Sequence, residues 1–368
     1  MRSLSLKKAL PEADYRRPGS LRNILAQTLK FVLATAVVVY LILRGDLAWD
    51  PLQASLSRWQ YSVPAFLILA LTPLGQLWRW QSLLRAGHLR LPHREVFSYL
   101  MVSKFFNMAL PGYVSGDLIR GLYVSRRTRT GQDSSPNNEH PSPPGGVVAS
   151  IVFDRVAGLL TLFALCVLGL LVSLWQPMPP RLVSYSAALA GLGLLVPLLL
   201  FVRAYRSPQP PAGLLRLLQR IRLRQVFTAL YQAAHLYVRD LRLMRNVLAI
   251  AFLTQGLTIT CFVLFGKALG LGIPLVSYWI LVPLGLTVVA IPITPAGLGV
   301  GQITFLALFH TVGTAQGANL FTLYMASYAL INLSGACLFP FSRRPEPVHS
   351  APSSPPAQSA QNAGEPVL

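Results

Sequence analysis

Apolar residues lie along this chain in long unbroken runs, not at the alternating spacing of strands. The runs cover about Thr28 to Leu43, Tyr61 to Trp78, Val147 to Trp175 and Leu182 to Val202. Four more follow, at Val247 to Gly266, Val276 to Ile293, Gln302 to Gln316 and Asn319 to Pro340. A spanning helix takes about 20 apolar residues, so the pattern predicts an all-α, polytopic integral membrane protein with about eight transmembrane helices. Between the second and third runs, Val96 to Ile119 is less regular and is broken at Leu110-Pro111-Gly112.

Polar stretches divide the remainder. Residues 1–27 form a basic N-terminal segment, 28–340 a membrane domain and 341–368 a Ser- and Pro-rich tail expected to be disordered. Within the domain, residues 128–146 are rich in Ser, Pro, Asn and Gly and read as a flexible cytoplasmic loop. Residues 211–246 have a helical pattern, with Arg216, Arg220 and Arg224 recurring every four positions and Leu214, Leu217, Leu218 and Ile221 on other faces. Such a basic amphipathic helix can lie on an anionic leaflet, each Arg contributing about 1 kcal/mol. A plain connector whose charges enforce topology fits the same residues.

Composition narrows the class. Of 368 residues 53% are hydrophobic and only 12% charged, about half the share usual in soluble domains. A soluble enzyme is excluded. The net charge of +20 is read by position and not as a nucleic-acid footprint, because basic residues of membrane proteins gather in cytoplasmic loops. Seven precede Phe31, four lie in Arg79 to Arg94, four in Arg120 to Arg129 and nine in Arg203 to Arg245. This places the N-terminus in the cytoplasm. The segment Val96 to Ile119 then has cytoplasmic sequence on both sides and is too short for two spans. A re-entrant hairpin turning at Pro111-Gly112 satisfies the parity, and irregular backbone at that depth must line protein or a wet cavity.

Five charged residues fall within or beside the apolar segments: Lys104, Asp117, Arg120, Asp154 and Arg155. Each costs about 2.5–3.5 kcal/mol at depth unless it meets a partner or a cavity. Asp117 and Arg120 share a helical face, whereas adjacent Asp154 and Arg155 point about 100° apart. Crossed pairs are expected, Asp117 with Arg155 and Asp154 with Arg120. They serve either a polar ligand or the locking of the bundle. A second break, Ile291 to Gly301, has two prolines and three glycines within eleven residues. With Asn107, Pro111 and Gly112 at the first break and Pro295, Gly297 and Gly299 at the second, the paired interruptions point to a midplane substrate site. Helix N-termini after these turns would offer N–H groups to an anionic head group; a loop of turn formers is the alternative.

Other features are plain. Trp49, Trp59, Trp78, Trp80, Trp175 and Trp279 fit an interfacial belt. Six scattered histidines and three unpaired cysteines predict no metal site, disulfide or cofactor. No phosphate-loop motif occurs, so ATP is not consumed by that route.

The motifs, taken in order, resemble the lysylphosphatidylglycerol synthase transmembrane-region family. They are Arg79-Trp80, Leu83-Leu84-Arg85, Phe105-Phe106-Asn107, Leu110-Pro111-Gly112, Gly116-Asp117 with Arg120, Asp154-Arg155 with Gly158-Leu159-Leu160, and Pro295-Ala296-Gly297-Leu298-Gly299. The resemblance implies a bacterial inner-membrane protein whose membrane domain acts as a flippase, here without the aminoacyl-transferase domain of the bifunctional members. It departs at Gly301-Gln302, where the family usually has Arg-Glu. The expected function is movement of a phospholipid, aminoacylated phosphatidylglycerol among the candidates, or of a polyprenyl-linked head group between leaflets. Its rivals are an intramembrane lipid transferase and a non-catalytic partner of a separately encoded synthase.

Overall fold

The computed structural model describes residues 53, 55, 57–89, 91–109, 115–129, 146–176, 178–207, 209–211, 213, 215, 227–228, 231, 235, 237–291 and 294–338. These residues form helices and turns with no strand among them. The first apolar run, the N-terminal segment, Pro111 and Gly112, most of the 128–146 loop, Arg216, Arg220, Arg224 and the tail lie outside the described residues.

Among the described residues four helices are long and apolar enough to cross a membrane: α1 (Trp59–Ala86), α4 (Gly146–Val172, extended by a 3-10 turn to Trp175), α5 (Pro180–Arg206) and α6 (Leu241–Ala268). α2 (His93–Ala109) and α3 (Ser115–Arg129) follow α1, and α7 (Leu275–Val289), α8 (Val300–His310) and α9 (Gly317–Leu338) follow α6. The all-α, polytopic reading holds. The runs Val276–Ile293 and Gln302–Gln316 fold as the short helices α7 and α8, ~22 Å and ~16 Å long by their residue counts. Each falls short of a hydrocarbon layer of about 30 Å.

Local chemistry sets the ends. Asp240 terminates the predicted surface helix and caps α6, its Oδ1 accepting from the Arg242 and Leu243 N–H groups at 3.0 Å. α5 carries Pro180 in its first turn, where no N–H is needed. Pro64 and Pro73 lie inside α1, which nonetheless runs 28 residues.

Contacts fix the directions. α1 and α6 are antiparallel, since Cys261 Sγ meets the Ala65 carbonyl while Gly75 faces Thr254. α2 begins directly after α1 at one end of the bundle, and α7 begins directly after α6 at the other. α2 and α3 form an antiparallel hairpin, with Tyr99 stacked on Tyr123 at 5.1 Å and Arg127 near Glu95 at 3.4 Å. α7 and α8 form a second hairpin, with Gly285 against Phe305 and Gly297 against Val289. The two hairpins therefore open at opposite ends of the bundle, and the Pro295–Gly297 turn at the tip of the second packs against α2. The larger apolar core lies between α6, α7, α8 and α9, around Phe262, Phe305, Phe309 and Phe321.

Candidate functional site

Between the hairpins and α1, α4, α6 and α9 lies a cavity of about 260 Å³. Its charged lining is Arg79, Lys104, Asp117, Arg120, Asp154 and Arg155. Both expected crossed pairs form. Arg155 Nη2 lies 2.6 Å from Asp117 Oδ2, and Arg120 Nη2 lies 3.5 Å from Asp154 Oδ2. Arg120 Nε stands 3.0 Å from Asp117 Oδ1, an ion pair without the alignment of a hydrogen bond.

The residue that sequence reasoning left out is Arg79. Its Nε donates to Asp154 Oδ1 at 2.5 Å, the shortest of these contacts. Charge counting assigned it to a cytoplasmic loop, but α1 continues to Ala86 and buries it about 10 Å before its end. A signal was present. Thr72, Gln76 and Arg79 recur at helical spacing along one face, and all three line the cavity.

Trp80 departs from the interfacial belt. It is fully buried, its ring centre 4.7 Å from the Arg120 guanidinium carbon, and its Nε1 donates to Ser150 Oγ at 3.3 Å. Trp59, Trp78 and Trp175 are exposed as a belt requires. Lys104 is buried as well, its ammonium 5.3 Å from the Tyr328 ring centre across the cavity.

The remaining candidates are placed differently. Asn107 lines the cavity and its Oδ1 accepts from the Gly116 N–H at 2.9 Å, so it ties α2 to the start of α3. No side chain fits at Gly116, where a Cβ would meet the Ser103 carbonyl oxygen at 1.8 Å. At the second break, Ala296 lines the cavity between Pro295 and Gly297. Gly297 and Gly299 serve the turn, with φ of 74° and 79°. The Gly299 N–H is already taken by Gln302 Oε1 at 2.7 Å. The N–H groups of Gly116 and Gly299 are thus satisfied from within the chain.

Among the described residues no cluster of His, Cys, Asp and Glu has the arrangement of a metal site. Three guanidinium groups and one ammonium face two carboxylates, which leaves the cavity a surplus of positive charge. The model of one family, described as the lysylphosphatidylglycerol synthase TM region, matches the chain over residues 27–334. The chain belongs to the lysylphosphatidylglycerol synthase transmembrane-region family. Membership makes it a multi-pass membrane protein of lipid metabolism or lipid transport. No curated protein matches it. Gln302 caps its helix without a charge, its Oε1 taking the Gly299 N–H. Gly301 lets the Phe321 ring pack against the helix.

Proposed function

We propose that this protein translocates a lipid between leaflets, holding its anionic head group in the cavity while the acyl chains stay in the bilayer. The observation that carries the reading is the positive surplus of a buried cavity between spanning helices. A phosphate is the complementary ligand: guanidinium groups bind its oxygens through paired, charge-assisted hydrogen bonds. Asp117 and Asp154 hold Arg79, Arg120 and Arg155 in place. A head group with net positive charge, such as lysine-bearing phosphatidylglycerol, fits this balance less well than an uncharged or anionic one. The cavity is small for a drug-sized ligand, about 300–1,000 Å³ being usual, and suits a head group alone. With the basic segments at the cytoplasmic face, the setting is the bacterial inner membrane with the N-terminus inside. Transport then proceeds as scrambling or is driven by an ion gradient.

Leaflet exchange of labelled lipids in proteoliposomes tests this. The unaltered protein accelerates exchange of phosphatidylglycerol, and Asp154→Asn and Arg155→Gln abolish the acceleration while the protein stays folded. Exchange that survives both substitutions makes the cluster structural. Absence of exchange for every lipid tried, with modified lipid appearing in extracts, makes the protein a transferase.

A further inference from the structure

The chain makes the same turn twice. After α1, the N–H groups of Gly87, His88 and Leu89 donate to the carbonyls of Leu83, Arg85 and Leu84 at 3.1, 3.0 and 2.9 Å. After α6, those of Leu269, Gly270 and Leu271 donate to Phe265, Lys267 and Gly266 at 2.9, 3.1 and 2.8 Å. One constant register relates the two sets, bond for bond. In that register His88 coincides with Gly270, and both have positive φ, 61° and 78°. Pro92 then coincides with Pro274, each accepting from the residue three places on, Glu95 and Ser277. α1 and α6 are 28 residues each. Within them Thr72 bonds the Leu69 carbonyl and Thr254 the Ala251 carbonyl, again in register.

Packing repeats as well. α4 lies on α7 as α9 lies on α2, α1 meets α4 as α6 meets α9, and each hairpin closes on itself. The unit α1, α2–α3, α4 thus corresponds to α6, α7–α8, α9. Since α1 and α6 run antiparallel, the second unit stands upside down relative to the first.

We infer that the bundle is an inverted repeat whose hairpins are opposed gates, one for each membrane face. In such folds access alternates as one half takes up the arrangement of the other. The two halves differ here as that requires. In the first, Trp80 packs on Arg120 of the charged cavity's lining, and Arg155 of the same lining has a side chain 37% exposed. In the second, Phe262 holds the place of Trp80. It stacks on Phe305 at 5.1 Å and on Tyr324 at 4.4 Å, and Phe305 packs on Phe321 at 4.9 Å. This buried aromatic plug shuts the end at which α7–α8 opens. Exchange of the two arrangements parts the plug and closes α2–α3 over the charge cluster. The gating rests on the translocation reading, whereas the repeat stands without it.

The test uses the full chain with Cys166, Cys261 and Cys337 replaced by serine, in vesicles of phosphatidylcholine with and without phosphatidylglycerol. Spin labels at Trp59 and Thr311 report the end closed by the plug, and labels at Leu241 and Leu122 report the other; all four positions are exposed. Two distances are expected at each pair, and a condition that raises the long one at one end lowers it at the other. A single invariant distance at both pairs, or both ends opening together, overturns the proposal. A disulfide between cysteines placed at Phe262 and Phe305 should hold the plugged end short and stop lipid exchange until reduced. Exchange that continues through the locked plug also overturns the gating. If the unaltered protein exchanges no lipid, the translocation reading fails, and the label distances alone decide whether the hairpins alternate.

Discussion

Arg79 and Asp154 stand 2.5 Å apart in the interior of the bundle, joining α1 to α4. Each has almost no exposure. Asp154 also receives Arg120, so one carboxylate holds guanidinium groups from two elements.

Removing that carboxylate leaves buried cations uncompensated. Asp154→Ala should destabilise the protein by about 3–5 kcal/mol, the usual cost of breaking a buried pair from one side. Thermal unfolding in detergent measures it. The double variant Asp154→Ala with Arg79→Met should be more stable than Asp154→Ala alone, since it removes one stranded charge. If the second substitution restores nothing, the two residues are not coupled.

Trp80 positions Arg120. Trp80→Leu should weaken folding through lost packing and a lost cation–π contact, the latter ~0.5–2 kcal/mol, while Trp80→Phe retains part of it. The order unaltered, Phe, Leu in denaturation midpoints checks this; equal midpoints for the last two would remove the ring–guanidinium contact from the account.

Asn107 is read as a tie between hairpin arms. Asn107→Leu strands the buried Gly116 N–H and should cost about 1–3 kcal/mol. Asn107→Asp keeps an acceptor and should cost less. Amide hydrogen exchange at the start of α3 is the direct readout, and protection unchanged in the leucine variant would contradict the assignment.

At the second break, Gln302→Ala should cost about 1 kcal/mol through the lost cap. Gln302→Glu should cost at least as much, because it keeps the acceptor to the Gly299 N–H but buries an unpaired carboxylate and loses the donor to Thr322 Oγ1. Gly301→Ala is the harsher change. Its Cβ would meet the Phe321 ring at 2.1 Å, and overpacking of this kind costs about 1–3 kcal/mol. Phe321→Leu in the same chain should recover most of the loss, as read by melting temperature.

Much of the site was legible. The parity of basic segments required a hairpin between Val96 and Ile119, and the spacing of Asp117, Arg120, Asp154 and Arg155 implied the crossed pairs that the structure contains. Arg79 and Trp80 were obscured because hydropathy falls at Trp78, although the helix continues to Ala86 and turns both residues inward. The second hairpin was obscured for the opposite reason. α7 and α8 are as apolar as spans, and only their lengths and the turn between them distinguish them. The repeated turn is nearly silent in sequence, because it is carried by backbone hydrogen bonds. Of its paired positions, Leu89 with Leu271 and Pro92 with Pro274 are identical, Arg85 and Lys267 are both basic and Leu83 and Phe265 both apolar, whereas His88 faces Gly270 and Gly87 faces Leu269.

The helix α5 packs mainly on α4 and stands outside the duplicated units. Its consequence is one of counting. A unit of two full crossings and a hairpin returns the chain to the side from which it set out, so a copy joined straight on would enter in the same sense. One added crossing reverses that sense. Without α5 the two copies would be translational twins with both hairpins on one side; with it, a single motif faces both compartments.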